Sequence, residues 1–119
     1  MSQSFFEAYV ECALWSSSDC DDEPLDGYSI DDIAPETLAK MRIDCDDFQE
    51  SNTKLLKQAY RIGQYSPGQA GHDFWLTRNG HGAGFWDRGL AAVGEQLTKD
   101  AKFHGSVDLI VCDDGIIRS

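Results

Sequence analysis

Residues 73–89 read DFWLTRNGHGAGFWDRG, and this segment constrains the fold more than any other part of the chain. Residues 73–78 contain two aromatic side chains and one β-branched side chain, which favour a strand. The Asn-Gly pair at 79–80 is typical of a tight turn between two strands, because both residues tolerate a positive φ. Residues 84–86 can then return as the partner strand. The segment is therefore predicted to form an antiparallel hairpin that holds the fold together.

Two stretches of the N-terminal half carry the periodicity of helices. The first spans residues 5–16, where apolar side chains recur at steps of three and four: Phe6, Tyr9, Val10, Ala13 and Leu14. The second spans residues 35–62 and begins with a proline, which suits a first helical turn. It predicts either one long helix or two helices with a break near residues 44–47. Residues 16–32 and the SPGQAG sequence at 66–71 are predicted loops by composition.

The C-terminal part predicts one more helix and two short strands. The helix spans residues 89–105, with four apolar side chains at helical spacing: Leu90, Val93, Leu97 and Ala101. Residues 107–111 read as a short buried strand, and a turn at 113–115 leads into a return strand at 116–117. Together these elements predict an α+β fold in a single domain over residues 1–119. An acidic helical N-terminal half would pack on a small, mostly antiparallel sheet with one further helix.

The charge of the chain is concentrated in one half. The formal net charge is −11 at pH 7. Residues 1–50 hold fourteen acidic and two basic residues, whereas residues 51–119 hold seven acidic and eight basic ones. A surface field of one sign repels nucleic acids and anionic membranes and attracts basic partners. We therefore expect a basic protein or a nucleoprotein complex as the partner, with no direct binding to nucleic acid or to a membrane.

Neither the acidic loop nor the cysteines match a metal-binding pattern. An EF-hand loop starting at Asp19 would place Pro24 where glycine is required, and one starting at Asp22 would end on Ile33 instead of glutamate. The cysteines lie at positions 12, 20, 45 and 112, without a C-x-x-C pair. We expect reduced, structural thiols, no metal and no cofactor.

The chain carries no targeting signal that sequence reasoning identifies. Its longest apolar runs fall well short of the roughly 18 residues that span a bilayer. The first fifteen residues contain Glu7 and Glu11 but no basic residue, unlike a signal peptide. The cytoplasm is therefore the expected compartment.

Residues 72–89 also permit functional interpretations besides a hairpin. His81, with aspartates and arginines nearby, could act in acid–base catalysis, but no nucleophile accompanies it in a known arrangement. Gly80, Gly82 and Gly84 could approach a phosphate, but the lysine and helix start of a phosphate loop are missing. The two Phe-Trp pairs could stack on bases, which the acidity of the chain disfavours. A structural hairpin is the favoured interpretation, and no catalytic residue is predicted.

The segment DFWLTRNGHGAGFWDRG, followed by the Leu-Thr-Lys helix and by Asp-Asp-Gly at 113–115, resembles a group of small accessory proteins of tailed phages, prophages and mobile elements. The resemblance is specific over residues 70–89 and looser over 90–119. Residues 1–60 resemble the group in their acidity and in the Ala-Pro-Glu helix start rather than in a motif. It implies an accessory gene of a phage or mobile element, and hence the cytoplasm of the host cell. It transfers no catalytic residue.

Context and charge together favour an anti-defence function. Small acidic phage proteins resemble nucleic-acid mimics that block host defence, such as anti-CRISPR and anti-restriction proteins, and defence complexes present lysines and arginines to phosphates. The predicted partner-binding residues are all acidic: Asp19, Asp21, Asp22, Glu23, Asp26, Asp31, Asp32, Asp44, Asp46, Asp47 and Glu50. Three alternatives stay open: an adaptor or regulatory module that binds a host or phage protein, a small enzyme centred on His81, and acidity that serves only solubility.

Overall fold

The computed structural model describes residues 3–17, 25–62, 65–81, 83–111 and 114–119. These ranges are mostly helical, with a minimal two-stranded antiparallel sheet. The helices are α1 (Gln3–Ser16), α2 (Pro35–Ser51), α3 (Thr53–Ile62), α4 (Pro67–Arg78) and α5 (Ala91–Phe103). The strands are β1 (Ile110–Val111) and β2 (Ile117–Arg118), and short 3-10 turns lie at Leu25–Gly27, Ile30–Asp32 and Phe85–Asp87. The fold is thus compatible with the α+β class, although the sheet is very small.

The helices predicted at both ends of the chain are confirmed. α1 and α5 occupy the predicted stretches, and a return strand does pair with the first strand, with Ile110 opposite Arg118. The predicted buried strand at 107–111 is wrong in extent and burial, because only 110–111 form a strand and Ile110 is 59% exposed. The segment at 35–62 is two helices. They separate at Asn52, eight residues after Asp44, rather than near residues 44–47. The side-chain amide and the backbone N–H of Asn52 both donate to the carbonyl oxygen of Phe48, at 2.9 and 3.1 Å, which ends α2.

The predicted hairpin at 73–86 is wrong. Residues 73–78 form the second half of α4, and residues 85–87 form a 3-10 turn. The SPGQAG sequence starts this helix instead of forming a loop: the Ser66 hydroxyl accepts from the Gln69 N–H at 3.1 Å, and Pro67 occupies the first helical position. Every residue from Asp73 to Arg78 is buried. A helix buried on all sides carries no amphipathic period, so its aromatic residues resemble a strand.

The hydrophobic core lies between helices rather than on a sheet. α1 makes its most extensive contacts with α4. The rings of Phe48 and Phe74 stack with their centroids 4.2 Å apart, and Tyr9 stacks on Phe74 at 5.3 Å. Gly71 of α4 faces the backbone of Phe5 so closely that a Cβ atom there would overlap the Phe5 carbonyl oxygen. The helical half of the chain therefore packs on α4, the segment that the sequence placed in the sheet.

Several sequence-based predictions lie outside the described residues. They concern the loop at 18–24, the cysteines at 20 and 112, Gly82, and the first part of the turn at 113–115. The other two cysteines, Cys12 and Cys45, are buried free thiols. Burial raises the pKa of Cys12 to about 12 and also raises that of Cys45, so both are protonated at neutral pH.

Candidate functional site

α2 carries exposed carboxylates on the side that faces away from the core. Met41 and Cys45 are buried on its inner side. Because an α-helix has 3.6 residues per turn, Asp46, Asp47 and Glu50 then fall on the outer side, where Asp47 and Glu50 are exposed and Asp46 is partly exposed. None of the three forms an ion pair with a residue that the structure describes. We call these three residues the acidic face.

Asp44 belongs to the predicted set but is engaged inside the fold. Its Oδ2 accepts from Nη1 of Arg78 at 2.8 Å. Arg78 is buried and also donates to the hydroxyl of Tyr9 and to the carbonyl oxygens of His104 and Gly105, at 2.9, 3.0 and 2.7 Å. Burial alone would lower the pKa of Arg78, but Tyr9 and Asp44 hold it above its ordinary value. Asp44 therefore helps to fix the end of α5 against α1 and α2.

The two carboxylates of the turn Ile30–Asp32 also differ in whether they are engaged within the fold. Asp32 accepts from the backbone N–H of Ser29 at 2.8 Å, while the Ser29 hydroxyl accepts from the N–H of Asp31 at 3.2 Å. Ser29 and Asp32 form a capping box, in which each side chain accepts from the backbone N–H of the other residue, and this box fixes the turn. The side chain of Asp31 is exposed. Asp31 is thus available to a partner, whereas one oxygen of Asp32 is already used.

The remaining predicted residues cannot be placed on this surface. Asp19, Asp21, Asp22 and Glu23 lie outside the described residues, and Asp26 lies in the turn Leu25–Gly27 with its side chain also outside them. Within the described part of the chain, the predicted partner-binding residues therefore lie on the acidic face and in the turn Ile30–Asp32. Asp44 is also described, but it is engaged by Arg78.

Asp73, the first residue of the DFWLTR segment, is fully buried, and its carboxylate accepts hydrogen bonds from three side chains. Tyr65 Oη donates to it at 2.6 Å, and Nε2 of Gln69 donates at 3.2 Å. Arg88 donates through Nε at 3.1 Å and through Nη2 at 2.8 Å. Burial raises the pKa of the Tyr65 hydroxyl, and the neighbouring Asp73 carboxylate raises it further. Hydrogen-bonded and paired, Asp73 ties the segment after α4 to the helix.

The two histidines of residues 72–89 line one cavity of about 490 Å³, together with Trp15 and Arg88. Of the described residues around it, Ser16 carries the only hydroxyl. That hydroxyl donates to the carbonyl oxygen of Cys12 at 2.7 Å and accepts from the Trp75 indole at 2.6 Å. Because the proton of Ser16 is already donated, the cavity offers His81 no activated serine nucleophile.

Sequence reasoning missed a second cavity, of about 650 Å³, between α1 and α4. Glu11, Trp15 and Tyr28 line it, and 64% of the Trp15 surface is exposed. A signal for it was present. Glu7, Glu11 and Trp15 follow one another at steps of four, so the helical period places Trp15 on the polar side of α1, opposite the apolar stripe.

The described residues contain no group of three histidine, cysteine, aspartate or glutamate side chains suited to a metal ion. None of the helices within the described ranges is long and apolar enough to cross a membrane. Comparisons of the chain with protein-family models, with curated proteins and with solved structures found no match. What the protein binds is therefore inferred from its own residues.

Proposed function

We propose that this protein is an anti-defence protein of a phage or mobile element, which blocks the nucleic-acid-binding surface of a CRISPR or restriction complex in the host cytoplasm. The observation that carries the proposal is the acidic face of α2. Asp46, Asp47 and Glu50 are directed outward on a rigid helix and form no ion pair with a described residue.

The spacing of these charges is comparable with that of a nucleic acid. With a rise of about 1.5 Å per residue, Asp46 and Glu50 lie about 6 Å apart along the axis of α2. Three carboxylates over that length have a mean axial spacing of about 3 Å, which is slightly closer than the one phosphate per about 3.4 Å of a DNA strand. Asp31 adds a further exposed carboxylate to the same half of the chain. A groove lined with lysine and arginine could accept this surface in place of phosphates.

A matched pair of variants tests the proposal in cells. The first variant removes the acidic face through Asp46→Asn, Asp47→Asn and Glu50→Gln. The control removes the same number of charges from the other half of the chain, through Glu95→Gln, Asp100→Asn and Asp108→Asn. Each protein is expressed in hosts that carry one defined CRISPR or restriction system, and phage plaquing or plasmid interference is measured.

We expect the wild-type protein and the control variant to protect the phage or plasmid against at least one system, and the first variant to lose protection. Equal loss in both variants would show that net charge matters rather than the acidic face. Failure of the wild-type protein to protect against any system tested would refute the anti-defence proposal.

A second candidate, an adaptor that binds a host or phage protein through apolar contacts, is favoured by a different observation. Phe103 is 90% exposed at the end of α5, and Trp86 is 53% exposed after α4. Large exposed apolar side chains are typical of protein interfaces. The two functions differ in their response to salt: binding through the acidic face weakens as salt rises, whereas binding through Phe103 and Trp86 does not.

A further inference from the structure

We propose that the cavity between α1 and α4 binds the guanidinium group of an arginine side chain on a basic protein partner. We call it the Trp15 cavity. The choice of a basic protein as the source rests on the proposed function, whereas the choice of a guanidinium group rests on the residues that line the cavity.

The Trp15 cavity combines one carboxylate with the exposed ring of Trp15 and the partly buried ring of Tyr28. Glu11 and Trp15 lie on one side of α1, and Tyr28 follows the turn Leu25–Gly27. Trp15 is more exposed than any residue of the core it adjoins, and the ring contact that it makes is with His72, whose centroid lies 6.4 Å away. An indole face and a carboxylate at one site are the groups that bind an organic cation, through the ring quadrupole and through charge.

Charge complementarity selects a cation over other ligands. Of the described residues that line the cavity, none is lysine or arginine, and Glu11 forms no ion pair with a described residue. Glu7, one turn before Glu11, lines an adjoining cavity of about 460 Å³. An anionic ligand would meet these carboxylates, and His72 is the one basic side chain among the described residues that line the cavity.

Arginine fits the Trp15 cavity better than a compact ammonium group. A guanidinium is planar, stacks on aromatic rings and keeps two edges for a carboxylate. The chain already makes two contacts of this kind, and in the shorter one the guanidinium carbon of Arg42 lies 3.9 Å from the ring centroid of Phe6. The apolar side chains of Ala8 and Leu14 line the same cavity and can contact the aliphatic part of an arginine.

The test uses the isolated full-length protein and two dipeptides. Isotope-labelled protein is titrated with N-acetyl-leucyl-arginine amide, and the indole N–H resonance of Trp15 is followed by NMR. The matched ligand is N-acetyl-leucyl-citrulline amide, which has nearly the same shape without the charge. The variants are Trp15→Ala and Glu11→Gln. Their controls are Trp86→Ala, a second exposed tryptophan, and Glu95→Gln, a second exposed glutamate.

We expect the arginine peptide to shift the Trp15 resonance in a saturable way and the citrulline peptide to bind at least about fivefold more weakly. Glu11→Gln should weaken binding of the arginine peptide by roughly threefold to tenfold, whereas the two controls leave it unchanged. Equal binding of both peptides, or an unchanged affinity in Trp15→Ala measured from the other resonances, would overturn the proposal. Failure of the wild-type protein to protect in the cell assay, with this peptide binding intact, would refute the anti-defence function alone.

Discussion

Replacing Gly71 with alanine tests the contact between α1 and α4 on which the fold depends. A Cβ atom at position 71 would overlap the carbonyl oxygen of Phe5 and lie 2.8 Å from its carbonyl carbon. Gly68, one turn earlier on the same helix, provides the control. A Cβ atom there would lie 3.8 Å from the Ser66 hydroxyl and 4.0 Å from the Cβ of Ala8, which are ordinary contacts.

The expected effects of the two substitutions have opposite signs. Alanine is favoured over glycine inside a helix by about 1 kcal/mol. At Gly71 this gain is opposed by overlap with backbone, which cannot rotate away as a side chain can, and such overpacking costs about 3 kcal/mol. The net expected loss is about 2 kcal/mol of unfolding free energy. For a chain of 119 residues this lowers Tm by about 8 °C. Gly68→Ala should instead raise the unfolding free energy by about 0.5 kcal/mol.

Both variants are measured by thermal unfolding followed by circular dichroism, with urea unfolding as a second measure of the free energy. If Gly71→Ala were as stable as Gly68→Ala, the SPGQAG sequence would not be pressed against α1. α4 would then not lie in the centre of the core.

Two further predictions concern buried groups. Arg78→Met should lower the unfolding free energy by about 3–5 kcal/mol, because it leaves Asp44 and the carbonyl oxygens at the end of α5 without their donor. The control is Arg61→Met, on the exposed side of α3, which should change the unfolding free energy by less than about 0.5 kcal/mol. A loss below about 1 kcal/mol for Arg78→Met in urea unfolding would contradict this account. Burial raises the pKa of Cys12 from 9.0 to about 12, so between these pH values the folded protein keeps a proton that the unfolded chain loses. The Cys12 contribution to the unfolding free energy is therefore fully present below pH 9 and falls as the pH rises above it. The Cys12 contribution is about 1.4 kcal/mol per pH unit, and Cys12→Ala should reduce the measured slope by about one proton. Identical slopes for both proteins would refute the assignment.

Sequence periodicity predicts the helices that have one exposed side. α1 and α5 each bury one stripe and expose the other, so the 3.6-residue period is visible in the order of their residues. Charge composition, rather than periodicity, indicates the cluster of carboxylates in the middle of α2. The residue that engages Asp44 is the distant Arg78, which no local pattern reveals.

The described residues of the 73–89 segment show why local sequence preferences do not predict their structure. Local preference favours a strand for Phe74 and Trp75. Phe74 packs against Tyr9 of α1 and Phe48 of α2, and Trp75 packs against Tyr9. Tertiary packing therefore overrides the local preference. The Asn79-Gly80 pair does mark a turn, with φ of 70° at Gly80, but the turn ends a helix instead of joining two strands. The buried pair of Asp73 and Arg88 also depends on packing that no local pattern reveals.

The most direct test of the proposed function measures binding of the protein to a purified defence complex against which it protects in the cell assay. The dissociation constant is determined at several salt concentrations, with displacement of the bound nucleic acid as a second readout. We predict that binding weakens as salt rises and that Asp46→Asn, Asp47→Asn, Glu50→Gln weakens it about tenfold, at roughly 0.5 kcal/mol per charge. The control with Glu95, Asp100 and Asp108 replaced should stay within about twofold. Equal loss in both variants, or binding that is insensitive to salt, would contradict the claim that the acidic face of α2 occupies a nucleic-acid-binding site.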